Sequence, residues 1–257
     1  MESPDPQRLK IYKIGKEKLK KGKEYEVRQA DKDFGGNVFN TVRKAEVTGP
    51  EGAYSRSFVL RRPRLDFGDN TIKTEDDIKR RLGIIAGDLR TYQQLKDAGI
   101  KHVPTTYQLG GVDEGDPVIV MTDYTEGDSK IVLSNNTWKN GVLVESVGNA
   151  DQLLSDMEAD IKAAAKAGLV IPADAYFFIV PAQGGHAEKM EFAIADLDQC
   201  VQRKDATFAE MTLYNASEAK AALLLLLINH MPPNGEGKKE FSKKIDAWFE
   251  NIINSPR

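Results

Sequence analysis

The first half of the chain alternates apolar and polar residues with the period of two that is typical of half-buried β-strands. The clearest run is 37–47, where Val38 and Val42 would lie on one side of the strand and Phe39 and Arg43 on the other. Shorter apolar runs end at glycine or proline, as strands do before turns. The pattern predicts five strands, over 24–29, 37–47, 57–61, 103–109 and 117–121.

Between the third and fourth predicted strands the period changes from two to the three-and-four spacing of an amphipathic helix. This spacing predicts a helix over 74–98. Thr74 suits the N-cap, and Asp76 and Asp77 fall in the first turn, where the helix dipole favours acids. Gly99 follows the last apolar position and is a fitting stop for the helix.

The second half of the chain is mostly helical in pattern. Helices are predicted over 151–167, 217–230 and 241–253, with Ser217 as the N-cap of the second. Two apolar strands, 175–181 and 190–196, lie between the first two of these helices. We therefore predict an α+β fold with two lobes: a small lobe with a five-stranded antiparallel sheet over 1–122, a hinge over 123–130, and a mainly helical lobe over 131–257.

Composition is that of an ordinary globular protein, with 40% apolar and 29% charged residues among 257. The single cysteine, Cys200, excludes an intrachain disulfide and fits a reducing compartment, and no segment has the pattern of a signal peptide. The longest apolar run, 221–228, is much shorter than the roughly 20 residues that span a bilayer. These features predict a cytoplasmic protein that has no membrane partner.

Charge is unevenly spread, although the net charge is only −3. Residues 8–28 hold nine Lys or Arg against three Glu, a balance that suits nucleic acid or an anionic surface. No recognised nucleic-acid fold motif accompanies the run. A solvated basic face is therefore the favoured interpretation, and nucleic acid is not an expected partner.

Two aspartates border neighbouring apolar strands in the second half. Asp174 precedes the run 176–180, and Asp196 follows the run 191–195. Strands bordered in this way would bring two carboxylates together, and paired carboxylates suit Mg²⁺ that carries a nucleotide. The alternative is that both aspartates cap turns, as is common where strands end.

This order of elements, a five-stranded lobe, a hinge and a helical lobe with a paired acidic site, resembles the protein-kinase fold. The glycine-rich loop of that family matches Gly35, Gly36 and the adenine-covering Val38. Aspartates replace the first two glycines of the motif, at Asp31 and Asp33. Acids at these positions would repel the phosphates that the glycines cradle in the family.

The strand that carries the family's phosphate-binding lysine resembles 58–61. Val59 would face the adenine, and Arg61 takes the place of the lysine. The helix glutamate that pairs with this lysine falls at Asp88, so the resemblance implies an Arg61–Asp88 pair. The alternative is a solvated cationic strand and a surface acid on an amphipathic helix.

The run 118–124 resembles the fifth strand and hinge of the family. By this resemblance Met121 is the gatekeeper, and the backbones of Asp123 and Thr125 offer hydrogen bonds to adenine. Tyr176 would form the floor of the adenine pocket. The alternative is an ordinary edge strand and loop.

The catalytic loop departs from the kinase pattern. Asp174 stands at the metal-binding asparagine and Asp196 at the metal-binding aspartate, with Asp198 as a third acid nearby. Leu169 stands where the base-like aspartate belongs, and leucine cannot accept a proton. In the alternative alignment Asp174 is that aspartate, and Ile179 replaces the asparagine.

The resemblance therefore implies a degenerate, pseudokinase-like domain that binds ATP with Mg²⁺ and acts as a regulator or scaffold, with a protein partner. One alternative is an active ATP-dependent phosphotransferase that acts on a small molecule or another acceptor. Another is an interaction module without nucleotide, its pocket filled by side chains such as Tyr176 and Met121. The three histidines and Cys200 lack the spacing of a zinc site.

Overall fold

A computed structural model provides the coordinates of the chain. The structure describes residues 8–14, 19–36, 40–48, 55–63, 65, 74–112, 117–125, 129–133, 144–180, 186–187 and 189–255. The chain divides into two compact units, Met1–Arg90 with Pro104–Asp123 and Thr91–Val103 with Tyr124–Arg257.

The first unit is built on one antiparallel sheet. Its strands are β1 (Arg8–Ile14), β2 (Leu19–Gly36), β3 (Asn40–Thr48), β4 (Ser55–Pro63), β5 (Tyr107–Val112) and β6 (Pro117–Thr122). The order is β1-β2-β3-β4-β6-β5, and β1 also pairs with β5, so the sheet closes on itself. The five predicted strands are β2 to β6, and their antiparallel pairing is confirmed.

Strand β1 was not predicted, because it lies inside the basic run 8–28. Leu9 and Ile11 are buried in the core that the closed sheet encloses. Arg8 is exposed and Lys10 and Tyr12 are partly exposed, so the strand alternates with the period of two. The described basic residues of this strand thus lie on its exposed side, while the apolar residues between them belong to the core.

Helix α1 (Glu75–Asp97) follows β4, with ends set by local sequence as predicted. The Thr74 hydroxyl accepts a hydrogen bond from the Asp77 amide, and the Asp77 carboxylate accepts one from the Thr74 amide. At the other end Gly99 has φ +85°, and the Ile100 amide donates to the Leu95 carbonyl. This left-handed ending requires glycine.

The second unit contains three helices and several short strands. They are β7 (Lys130–Leu133), β8 (Ser146–Val147), α2 (Ala150–Lys166), β9 (Leu169–Val170), β10 (Tyr176–Val180), β11 (His186–Ala187), β12 (Glu191–Ile194), β13 (Val201–Gln202), α3 (Phe208–His230) and α4 (Glu236–Asn254). Strands β12, β10 and β7 form one sheet, and β11–β8 and β13–β9 are two-stranded pairs. Strand β7 was not predicted, because its pairing with β10 is a tertiary contact.

Helix α3 begins at Phe208, nine residues before the predicted N-cap Ser217. Thr207 is the N-cap, and it exchanges hydrogen bonds with Glu210 in a capping box. Ser217 instead lies inside the helix and donates to the Leu213 carbonyl. By length and composition α3 is the one helix in the described part of the chain that is apolar enough to cross a membrane, a test that buried core helices also pass.

The chain thus has a sheet-rich unit with a helix between its third and fourth predicted strands, followed by a mainly helical unit that contains the β10–β12 strand pair. The predicted α+β order of elements is confirmed.

Candidate functional site

In the first unit, strand register brings three predicted residues to one face of the sheet. Val59 on β4 pairs with Met121 on β6, and Arg61 pairs with Ile119. Residues two apart on a strand point to the same side, so Val59, Arg61 and Met121 share a face. All three are buried.

Arg61 meets the acid that the resemblance implies as its partner. Its Nη1 lies 3.2 Å from Asp88 Oδ2 and donates to it, and the same nitrogen lies 3.2 Å from the Tyr107 hydroxyl. Arg61 is 4% exposed and Asp88 is 6% exposed. The arginine is therefore not a solvated surface cation: a strand and a helix of the first unit hold it in place.

Asp123, at the end of β6, has its carboxylate turned into the first unit. It accepts hydrogen bonds from the Ser57 hydroxyl and from Lys44 Nζ, the latter at 2.9 Å. The carboxylate is fully buried, whereas Lys44 is partly exposed. Sequence reasoning considered only the backbone of Asp123, and the side chain proves to anchor the end of β6 to β3 and β4. Thr125 lies two residues on, in the second unit.

The glycine-rich segment lies at the end of β2. Gly35 and Gly36 are its last residues, and Gly36 pairs with Thr41 on β3. Strands β2 and β3 are thus antiparallel neighbours in sequence and in the sheet. Val38 lies outside the described residues.

In the second unit, the β10–β12 ladder determines where the two acids lie. Tyr176 pairs with Ile194, and the Ala195 amide donates to the Ala175 carbonyl, which extends the pairing by one residue. Asp174 directly precedes Ala175, and Asp196 directly follows Ala195, so each acid is the residue next to this last hydrogen bond. Asp174 lies in a short 3-10 turn, Ala173–Ala175, before β10, and both aspartates are partly exposed.

The segment that precedes Asp174 is held by two side chains of α3 that sequence reasoning missed. Asn215 accepts from the Ile171 amide at 3.0 Å and donates to the Leu169 carbonyl at 2.8 Å. Glu218, one helical turn later, accepts from the Ala173 amide at 2.8 Å. Asn215 is fully buried on the mostly apolar buried face of α3. A polar residue on such a face was the available signal.

Leu169 and Tyr176 are both interior residues of the second unit. Leu169 is buried in β9, which pairs with β13. The Tyr176 hydroxyl is buried without a hydrogen-bond partner among the described residues, and burial raises its pKa. The assignment of Tyr176 to the floor of an adenine pocket stays a prediction.

Within the described residues, no three His, Cys, Asp or Glu side chains are grouped to hold a metal ion. Asp198 is exposed in the turn after β12 and does not join Asp174 and Asp196 as a third acid. Cys200 is buried, and burial raises the pKa of its thiol to about 12. The thiol is therefore protonated at neutral pH and unsuited to nucleophilic chemistry.

A further buried acid, Asp160 on α2, holds the loop after α1 in place. Its carboxylate accepts from the amides of Lys101 and His102, and it lies 2.8 Å from His102 Nδ1. The His102 ring stacks on the Phe192 ring, with the ring centroids 4.2 Å apart. The backbone carbonyl of His102 accepts a hydrogen bond from the Ile194 amide. The loop is thereby tied to α2 and to β12. An aspartate on the apolar face of α2 was the sequence signal for this contact.

The hydrogen bond to Asp160 raises the pKa of His102 above its ordinary value of 6.5. Because the folded pKa exceeds the unfolded pKa, the protonated His102 stabilises the fold fully below about pH 6.5, and this contribution is lost as the pH rises through the folded pKa. Urea unfolding of wild type and His102→Gln between pH 5.5 and 8.5 measures the effect. We expect the stability difference between the two proteins to shrink with rising pH; a difference that is constant or grows would contradict this.

Comparison with known proteins gives similarities in structure but not in sequence. No protein-family model matches the chain, and no curated protein matches it either. The chain is similar to a Rio2 kinase–ADP/Mg²⁺-phosphoaspartate complex from Chaetomium thermophilum, with TM-score 0.44 and 15% identity over 87% of this chain and 66% of that one. It is also similar to the Drosophila melanogaster PAN3 pseudokinase, with TM-score 0.40 and 14% identity over 91% of this chain and 61% of that one. The chain thus spans less than two thirds of the length of either structure.

Proposed function

We propose that this kinase-like domain binds a nucleotide with Mg²⁺ and acts as a regulator or scaffold, with little or no phosphate transfer. The observation that supports the proposal is the β10–β12 pairing, in which Ala195 bonds Ala175, the residues directly next to Asp196 and Asp174. Two carboxylates from neighbouring strands are an oxygen ligand set that suits Mg²⁺ held jointly with phosphates.

The proposed roles follow from the chemistry of the residues. Asp174 and Asp196 would hold the metal, and Mg²⁺ when bound supplies positive charge that offsets the phosphates. Arg61 would supply a fixed cation, which its pairing with Asp88 orients. Val59 and Met121 offer an apolar surface on the same sheet face. By the resemblance, Gly35, Gly36 and Val38 would cover the nucleotide, the backbones of Asp123 and Thr125 would bond adenine, and Tyr176 would form the floor of the adenine pocket.

Leu169 is the reason for proposing regulation rather than catalysis. In the alignment that puts Asp174 at the metal-binding asparagine, Leu169 stands where a kinase carries its base-like aspartate, and it is buried in β9. A buried leucine neither accepts a proton nor orients a hydroxyl group. The loss does not abolish all chemistry, because positioning and charge neutralisation provide much of phosphoryl-transfer catalysis.

One observation favours a second candidate, an interaction module that binds no nucleotide. The Arg61 guanidinium is buried and already bonded to Asp88 and to the Tyr107 hydroxyl. An arginine satisfied in this way stabilises the sheet–helix contact without any ligand. Such a module would act through a protein partner.

Thermal unfolding with and without ATP and Mg²⁺ tests the proposal. At about one hundred times the dissociation constant, binding adds roughly 2.7 kcal/mol of stability. We expect wild type to show a Mg²⁺-dependent shift, Asp196→Ala to lose it, and the control Asp205→Ala, which removes an exposed acid of the same unit, to keep it.

Absence of a shift in wild type would favour the interaction module. If the shift is present, turnover of labelled ATP with candidate small-molecule acceptors distinguishes a pseudokinase from an active phosphotransferase. Turnover at rates typical of kinases, about 1–100 per second, would overturn the assignment as a regulator.

A further inference from the structure

Glu218 bonds the backbone beside the proposed metal site, although it is not one of the proposed metal ligands. Its Oε2 accepts a hydrogen bond from the Ala173 amide at 2.8 Å, and Ala173 immediately precedes Asp174. The glutamate is partly buried on α3, far along the chain from the segment that it holds. A carboxylate bonded to a backbone amide forms a charge-assisted hydrogen bond, which is stronger than a neutral one.

The backbone around Asp174 is held on both sides. Before it, Glu218 bonds the Ala173 amide, and the Ala175 amide donates to the Pro172 carbonyl to close the 3-10 turn. After it, the Ala175 carbonyl accepts from the Ala195 amide, which ties the turn to the strand that leads to Asp196. The residues next to both aspartates therefore belong to one short network of hydrogen bonds, and Glu218 contributes a side chain to it.

We propose that Glu218 is a positioning residue: it fixes the Asp174 backbone so that the two carboxylates face one Mg²⁺. The inference rests on the proposed function. Residues that orient metal ligands without touching the metal commonly change metal affinity by about 10–100-fold when they are removed. The alternative role, a third acid that acts through its charge, is not supported by the geometry, since no three acids are grouped for a metal in the described part of the chain.

Three variants separate these roles. Glu218→Ala removes the acceptor, whereas Glu218→Gln keeps a carbonyl acceptor without the charge. Ser217→Ala is the matched control, because Ser217 is the exposed neighbour of Glu218 on the same helix. Its hydroxyl donates to the Leu213 carbonyl, one turn earlier in α3.

The measurement is the ATP dissociation constant with Mg²⁺ and with EDTA. Mg²⁺ is expected to raise the ATP affinity of wild type, and we expect this gain to be about 10–100-fold smaller in Glu218→Ala. In EDTA, the ATP dissociation constant of Glu218→Ala should equal that of wild type. Glu218→Gln and Ser217→Ala should keep most of the gain. If Glu218→Gln loses as much as Glu218→Ala, the charge acts directly and the positioning role is overturned; an unchanged Glu218→Ala also overturns it.

Amide hydrogen exchange in the metal-free protein gives a readout that does not depend on nucleotide. We expect Glu218→Ala to speed exchange of the Ala173 amide while leaving the amides of α2 as in wild type. If wild type binds no nucleotide, the proposed function fails, but fast exchange at Ala173 still supports a Glu218 that orders the segment. Unchanged exchange at Ala173 overturns the inference whatever the binding result.

Discussion

Replacing Asp88 with alanine is expected to lower the free energy of unfolding by about 3–5 kcal/mol, the usual effect of removing one partner from a buried ion pair. The Arg61 guanidinium would stay buried, facing the Tyr107 hydroxyl in place of a carboxylate. The buried cation would lose the Asp88 carboxylate without regaining the water that it gave up on folding, so the folded state is destabilised. Urea unfolding of the two proteins at neutral pH measures the difference.

The same substitution at Asp76 is the matched control. Asp76 lies in the first turn of the same helix, is 84% exposed, and pairs at 3.1 Å with Lys79, which is 71% exposed. Exposed pairs of this kind contribute about 0–1 kcal/mol. If Asp88→Ala costs no more than Asp76→Ala, the buried pair is not a stability determinant and the expectation is wrong.

Replacing both Arg61 and Asp88 tests whether the ion pair serves stability or ligand binding. Apolar residues of similar volume in place of a buried ion pair are often neutral or stabilising, by about 1–4 kcal/mol. Arg61→Met with Asp88→Leu is therefore expected to recover most of the stability that Asp88→Ala loses. If this doubly apolar protein is stable but no longer binds Mg²⁺–ATP, the pair serves binding rather than folding.

Asp160→Ala is expected to destabilise the protein by about 3 kcal/mol. The carboxylate accepts two backbone hydrogen bonds and one from the His102 ring, and hydrogen bonds to a charged group contribute about 1.5–3 kcal/mol each. Part of the loop is exposed to water, which replaces some of the lost hydrogen bonds and so reduces the loss of stability. We expect faster amide exchange at Lys101 and His102 in the same variant.

Asp156→Ala serves as the control for this second substitution. Asp156 lies one turn earlier on α2, and its carboxylate accepts from Gln152 at the protein surface. A change at such a site is expected to stay within about 0.5 kcal/mol. Equal losses in the two variants would mean that the loop after α1 is held by contacts other than Asp160.

Elements whose limits depend on nearby residues were predictable from the sequence. Helix α1 has the ends that Thr74 and Gly99 indicate, because capping acts within one turn. The start of α3 was equally local, at Thr207 and Glu210, but the apolar run further along drew the prediction to Ser217. Strand β1 was hidden because lysines surround its apolar residues, and only closure of the sheet shows that those residues are buried.

The residues of the candidate site also divide into those that the sequence indicated and those that it did not. Arg61 and Asp88 were paired through the order of the elements, and they do meet. Asp160, Asn215 and Glu218 were missed because each bonds backbone groups more than forty positions away. Backbone acceptors and donors are the same at every residue, so no sequence pattern identifies these partners. The signal that remains is a polar side chain on an apolar helix face.

The closure of the first sheet by β1 has a consequence for how this chain behaves among its own copies. In the described strands β1 covers the edges of both β2 and β5, but it meets β5 over three residue pairs, from Leu9 to Ile11. Exposed strand edges are templates for pairing with other chains. The seven residues of β1 therefore protect two strand edges against pairing with other copies of the chain. Proteolysis after Ile14 would expose both edges at once.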